Sequence, residues 1–169
     1  MIPARRGLDA TTAPAIARAT RAHLDALVHG NAAMAEESEG RALDRATLTR
    51  GVAAVFDDDR RGFYLVATRG DDVVGQLMVT FEWSDWRAGT FWWIQSVYVW
   101  PEARRQGIYR ALYEHLLALA RADGGVCGVR LYVERDNRTA RATYEALGME
   151  RAVYELYEVD FVLGHAAAP

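Results

Sequence analysis

The chain has 169 residues, 51% of them apolar and 25% charged, enough for one compact domain whose core removes roughly 70% of the unfolded chain's surface from water. Its 20 basic residues face 23 acidic ones for a net charge of −3, so no overall positive field exists to track a nucleic-acid backbone. Every basic residue is arginine, and the absence of lysine excludes Schiff-base catalysis and a Walker-type phosphate loop.

Cys127 is the single cysteine, which rules out an intrachain disulfide or a CxxC site and fits a reducing, cytoplasmic setting. Met1 to Ala22 carries no uninterrupted apolar h-region, and nothing approaches the ~20 apolar residues of a membrane span. We expect a soluble cytoplasmic protein with neither membrane nor nucleic acid as partner. No repeat or linker divides the chain, so residues 1–163 read as a single domain and 164–169 as a frayed tail.

Asp9 followed by an Ala-rich stretch with Ile16, Leu24, Leu27 and Val28 reads as a capped helix stopped near Gly30, and Asn31 to Gly40 as a loop. Asp44 or Thr47 opens a second helix through Leu48, Val52, Val55 and Phe56, ended by Asp57, Asp58 and Asp59. Phe63 to Thr68 and Val73 to Trp83 are rich in aromatic and β-branched residues around the turn Arg69-Gly70-Asp71-Asp72, a hairpin signal. Phe91 to Val99 is apolar on both alternating faces and reads as a central strand, with Gln95 and Ser96 facing opposite sides.

Pro101 ends that strand, and Gly107 precedes a periodic helix (Ile108, Leu112, Leu116, Leu119) stopped by Gly124-Gly125. Val129 to Val133 is a further strand, Asn137 caps a helix through Ala140, Tyr144 and Leu147 that ends at Gly148, and Val153 to Val162 is the last strand. The order is β-α-α-β-β-β-α-β-α-β, with the last strand whole or divided. An antiparallel first half running into a βαβ crossover predicts a mixed, twisted α/β (α+β) sheet flanked by about four helices.

The segment from Val97 to Leu112 places arginines and a glycine between a strand and a helix N-terminus. Such an N-terminus carries about +0.5 of an elementary charge, and glycine lets backbone approach a ligand, a geometry suited to pyrophosphate or to a plain βα connection with surface arginines. Arg104-Arg105-Gln106-Gly107-Ile108-Tyr109 resembles the acyl-CoA pyrophosphate loop Q/R-x-x-G-x-G/A of the GNAT superfamily of acyl-CoA-dependent N-acyltransferases, with Tyr109 departing at the last position. Asn137 to Met149 is similar to that superfamily's N-x-x-A-x-x-x-Y-x-x-x-G-F element, with Met149 departing. Together the two motifs and the element order cover Phe63 to Val162; residues 1–62 match in layout only, as a strand and two helices.

The resemblance implies an acetyl-CoA-dependent N-acetyltransferase, moving an acetyl group to a primary amine of a small molecule or protein by direct attack on the thioester. It implies that backbone around Val97, Tyr98 and Val99 pairs with the pantetheine arm, and that Arg104 to Tyr109 hold the pyrophosphate. Tyr144 takes the position that protonates the coenzyme A thiolate, which suits a phenol with an ordinary pKa near 10; on spacing alone it is a helix-face residue packed at i+4 from Ala140. Asn137 is likewise a helix cap or, by resemblance, a cofactor contact as well. A homodimer is common in the superfamily, and nothing in this sequence demonstrates one.

A base is harder to find, because Phe91 to Ile94 offers no carboxylate where many relatives carry one. Glu82 at a strand end is the candidate base, and Glu36 and Glu37, in a loop near the acceptor, are candidates for attracting a cationic amine. Trp83, Trp93 and Gln95 are candidate walls of the acceptor pocket, the tryptophans through cation–π contact, with core filling as the plain alternative. His23, His29, His115 and His165 show no metal-ligand spacing, so no metal is expected, and Cys127 reads as a small buried residue. The missing strand carboxylate favours a different class, a catalytically weak acyl-CoA-binding or sensing module; Tyr144 favours the enzyme.

Overall fold

The computed structural model describes residues 13–162 and falls into two compact units, Met1–Tyr132 and Val133–Pro169. In the first unit a short strand β1 (Ala15–Arg18) precedes two helices, α1 (Leu24–Glu39) and α2 (Arg45–Asp57). Strands β2 (Phe63–Arg69), β3 (Asp72–Ser84) and β4 (Gly89–Val99) follow, then helix α3 (Ile108–Ala122) and strand β5 (Val126–Leu131). The five strands lie in the order β1-β2-β3-β4-β5. The first three pairings are antiparallel, while β4 and β5 run parallel through α3. The mixed sheet with helices is the architecture expected from the element order.

Local chemistry explains most boundaries. Asp44 accepts from the Thr47 amide at 2.7 Å and starts α2. Asn137 accepts from the Ala140 amide at 3.0 Å and starts helix α4 (Arg138–Ala146) of the second unit. Two cores flank the sheet. On one face Leu27, Val28, Val52 and Val55 of α1 and α2 pack with Tyr64, Val66, Tyr98 and Trp100. On the other, the fully buried Leu65, Leu77 and Val79 share the interior with Ile108, Leu112 and Leu116, each such leucine contributing about 1.5–3 kcal/mol by leaving water.

Five expectations are corrected. Asp9 lies outside the described residues, but Ile16 belongs to β1 rather than a helix, and α1 runs through Gly30 to Glu39 rather than stopping, so Asn31 to Gly40 is not a loop. The reason is a close approach: a side-chain Cβ at Gly30 would lie 2.4 Å from Oε1 of the buried Gln76. Gly30 thus lets α1 press onto the sheet, and the helix ends instead at Gly40, whose φ of 60° forms a left-handed cap.

The predicted strand Val129 to Val133 is shifted toward the N-terminus, as β5 ends at Leu131. Val153 to Val162 forms no strand among the described residues, and Val153, Tyr157 and Phe161 are exposed. Finally, a β-bulge in β4 breaks the expected alternation of Gln95 and Ser96. Met78 opposes Ser96 while Val79 opposes Ile94, leaving Gln95 as the extra residue. The predicted tail 164–169 lies outside the described residues.

Candidate functional site

β4 behaves differently on either side of the bulge. From Thr90 to Ile94 it pairs with β3 on one edge and β5 on the other. Pairing with β5 stops at the match of Ile94 with Leu131, whereas pairing with β3 continues to Val99. The Trp100 amide donates to the Val74 carbonyl at 3.1 Å. Counting back by the strand's two-residue period, Tyr98 and Ser96 also turn their main-chain groups toward β3, while Val97 and Val99 turn theirs toward the edge that β5 has left. A short run of β4 thereby offers amide and carbonyl groups that no strand takes up among the described residues.

The chain turns at Pro101 and enters α3 directly beyond that open edge. Gly107 is the N-cap of α3, with φ 77° and no side-chain cap. The first helical bond runs from the Ala111 amide to the Gly107 carbonyl, so the amides of Ile108, Tyr109 and Arg110 precede the ladder and form a natural anion site. A Cβ at Gly107 would meet nothing within 4 Å; the glycine serves the positive φ, and the space in front of it is open. Ile108 is buried and Tyr109 stacks on Tyr113 with ring centroids 6.0 Å apart.

The loop's side chains alternate between anchoring and exposure. Arg104 Nε donates to the Val99 carbonyl at 2.9 Å, and its Nη2 donates to Glu37 Oε2 at 2.6 Å. Gln106 accepts from Arg69 at the end of β2 and donates to the Glu102 carbonyl at 2.8 Å. Arg105, between them, is exposed with φ 60°. Arg104 and Gln106 are therefore struts, and Arg105 is the loop's outward-facing cation.

Glu36 and Glu37 stand in the last turn of α1, not in a loop. Glu36 is exposed. Glu37 accepts from the Tyr98 hydroxyl at 2.8 Å and from Arg104. The Tyr98 hydrogen bond, with help from Arg104, holds its carboxyl below the ordinary range against the opposing effect of desolvation. Burial, reinforced by the Glu37 carboxylate, pushes Tyr98 up to about 12, so its hydroxyl stays a donor.

β3 residues Gln76, Met78, Thr80 and Glu82 alternate onto one sheet face, the face where Gln76 donates to the Leu27 carbonyl of α1. Gln95 joins them by donating to Thr80 Oγ1 at 2.8 Å. Glu82 accepts from Trp93 Nε1 through one oxygen and from Arg130 at 2.9 Å through the other. Trp93 stacks on Tyr132, centroids 4.4 Å apart, and Arg130 lies over the Phe91 ring. Glu82, Trp93 and Gln95 are thus gathered on the α1 side. Trp83 falls on the other face, two-thirds exposed, as alternation with Glu82 requires. Trp92 is core on that face, edge-on to Phe63 at 5.1 Å.

In the second unit Tyr144 is half-buried on α4, and burial raises its phenol above the ordinary value. Among the described residues no group of His, Cys, Asp and Glu is arranged to hold a metal ion, and no helix is long and apolar enough to cross a membrane. Thr80, Arg130 and Tyr132 escaped sequence reasoning because only strand register brings them to the site, β3–β4 setting Thr80 opposite Trp93 and β4–β5 setting Arg130 opposite it from the other side; no local signal marks them.

The sequence pattern of the "Acetyltransferase (GNAT) family" matches residues 29–149. A stretch of 102 residues is 35% identical to "Mycothiol acetyltransferase" of Kocuria rhizophila, covering 55% of this chain and 31% of that protein. The protein of the same name from Kytococcus sedentarius is 36% identical over 104 residues, 58% of this chain and 32% of its own length. The chain thus spans about a third of the length of these curated relatives. The crystal structure of "a possible acetyltransferase from Clostridium difficile 630" superposes with a TM-score of 0.83 at 44% identity, over 89% of this chain and 99% of that one. An aminoglycoside N-acetyltransferase AAC(6')-Iy in complex with CoA shares the fold, with a TM-score of 0.73 at 12% identity, over 95% and 99% of the two chains.

Proposed function

The chain belongs to the GNAT acetyltransferase family, and we propose that it transfers an acetyl group from acetyl-CoA to a primary amine at the open end of β4. One observation carries this reading: β4 loses β5 after Ile94 immediately before the chain reaches the uncapped N-terminus of α3. An extended ligand can add to the edge at Val97 and Val99 as a strand would, with its phosphates at the amides of Ile108 to Arg110. Open space before Gly107 and the exposed Arg105 fit a pyrophosphate there.

Bound acetyl-CoA supplies an activated thioester. A main-chain amide of the open edge, at Val97 or Val99, polarises its carbonyl and stabilises the oxyanion as the amine attacks. Tyr144, a phenol already protonated at neutral pH and pushed further up by burial, gives its proton to the departing thiolate. Asn137 adds a contact to the cofactor besides capping α4. The acceptor lies along the α1 face of the sheet, against Trp93, Gln95 and Glu82, with Glu36 supplying negative charge at the end of α1.

Glu82 serves as base in this reading against the hold of Arg130 and Trp93: each of its oxygens already accepts one hydrogen bond and keeps a second lone pair for the amine proton. That engagement also favours the second reading, a module that binds acyl-CoA with weak turnover. The names of the two relatives put the acceptor of mycothiol acetylation first in any acceptor panel. The test is calorimetric titration with acetyl-CoA and with its dephosphorylated form, followed by thiol release across an amine panel. Binding that weakens on phosphate removal, with thiol release, supports the enzyme; binding without release with every amine supports the module; no binding at millimolar acetyl-CoA refutes both.

A further inference from the structure

α1 is tied to the sheet at two points along its length. Near its middle, Asn31 and the Leu27 carbonyl accept from the buried Gln76 amide at 2.8 and 3.2 Å, and Asn31 donates to the Tyr64 hydroxyl at 3.1 Å. In its last turn, Glu37 accepts from Tyr98, the cross-strand partner of Gln76. The first tie is buried and rigid. The second reaches further, because the same carboxylate holds Arg104, whose guanidinium also lies 5.5 Å from the centroid of the Tyr98 ring.

Arg104 does two things at once. Its Nε takes the Val99 carbonyl, the last acceptor of the open edge, and its backbone opens the turn that ends at Gly107. Where the guanidinium sits therefore sets both the end of the edge that a ligand strand can use and the start of the loop facing the phosphates. A charge-assisted pair with both partners also hydrogen-bonded elsewhere is directional rather than a loose surface ion pair.

We propose that Glu37 is a positioning residue of the donor site: by holding Arg104 against the Val99 carbonyl, it fixes the loop from Arg104 to Gly107 and thereby sets the affinity for acetyl-CoA. This rests on the reading of the α3 N-terminus as the donor site. Glu37 touches none of the reacting groups and acts through Arg104 alone. The Tyr98 hydroxyl orients the carboxylate from the other side and cannot substitute for it, since it donates to the Glu37 oxygen that Arg104 does not use.

The test is a double-mutant cycle on the full chain with Glu37→Gln, Arg104→Gln and the pair, reading the Kd for acetyl-CoA by calorimetry alongside kcat, KM and melting temperature. Glu37→Gln keeps one acceptor oxygen for Tyr98 and removes the charge together with the oxygen that Arg104 uses. Each single variant is expected to weaken acetyl-CoA binding about tenfold, and the double variant no more than either. KM for acetyl-CoA rises with Kd, kcat at saturation changes less than about twofold, and melting moves by a few degrees at most. Tyr98→Phe, which releases one Glu37 oxygen, is expected to weaken binding about threefold and serves should Glu37→Gln not fold. Wild-type affinity in Glu37→Gln or, for that backup, in Tyr98→Phe, or effects that multiply in the double variant, would overturn the proposal while leaving the donor-site reading intact; a wild-type chain that does not bind acetyl-CoA would overturn both.

Discussion

The two halves of β4 are built from similar residues and do opposite things. Thr90 to Ile94 is paired on both edges and carries Trp92 into one core and Trp93 onto the other face. Val97 to Val99 is just as apolar but keeps only β3, and it runs into a loop whose Arg104 and Gln106 side chains are pulled back into the framework. The bulge at Gln95 separates them. A sheet can therefore expose backbone for chemistry at one place without becoming a sticky edge throughout, provided the exposed run is short and its neighbours are anchored.

Proline substitutions break this comparison most sharply. Trp93→Pro removes an amide where both edges are paired and should cost about 3 kcal/mol or more beyond Trp93→Ala, read by chemical denaturation. Val97→Pro removes an amide that turns away from β3, so it should fold yet lose acetyl transfer, about 10²–10³-fold in kcat if that amide faces the oxyanion. Equal destabilisation by the two prolines would mean that the open edge is not open.

Tyr144→Phe comes next. It should lower kcat about 10²-fold with little change in acetyl-CoA affinity. The pH profile gives the sign: because burial raises the phenol, the rate should hold through the ordinary value of 10.0 and fall only above it. Full activity in Tyr144→Phe would remove the acid role.

Gly107→Ala should cost roughly 1–2 kcal/mol through its φ of 77° and weaken acetyl-CoA binding through the displaced amides. The smallest effect concerns Glu37. Its carboxyl titrates below the usual 4.5 in the folded chain, so its contribution is complete above the unfolded value and is lost only as pH falls through the folded one. Exposed pairs contribute at most about 1 kcal/mol, so Glu37→Gln should lower the melting temperature by a small, constant amount between pH 7 and 5, a difference that shrinks below pH 4.

Legibility in the sequence followed the range of the interactions. The Asp44 and Asn137 caps, the turn at Gly70, the α3 period and the glycine before it are local signals, and the structure uses each of them locally. Gly30-Asn31 misled because a helix stop and a close helix–sheet contact use the same residues, and only Gln76, far along the chain, distinguishes them. The bulge leaves no mark in Ile94-Gln95-Ser96, since it depends on the partner strand. Glu37 was visible as a charge near the site, but the arginine that receives it lies beyond three strands.

Residue-resolved amide hydrogen exchange, followed with and without acetyl-CoA, tests the central claim most directly. The account predicts that the Val97 and Val99 amides exchange faster than those of Trp92 to Ile94 in the free chain, and that acetyl-CoA slows Val97, Val99 and the first turn of α3 while leaving Trp92 to Ile94 unchanged. Protection at Val97 and Val99 without ligand, or no slowing there at saturating acetyl-CoA, would contradict it.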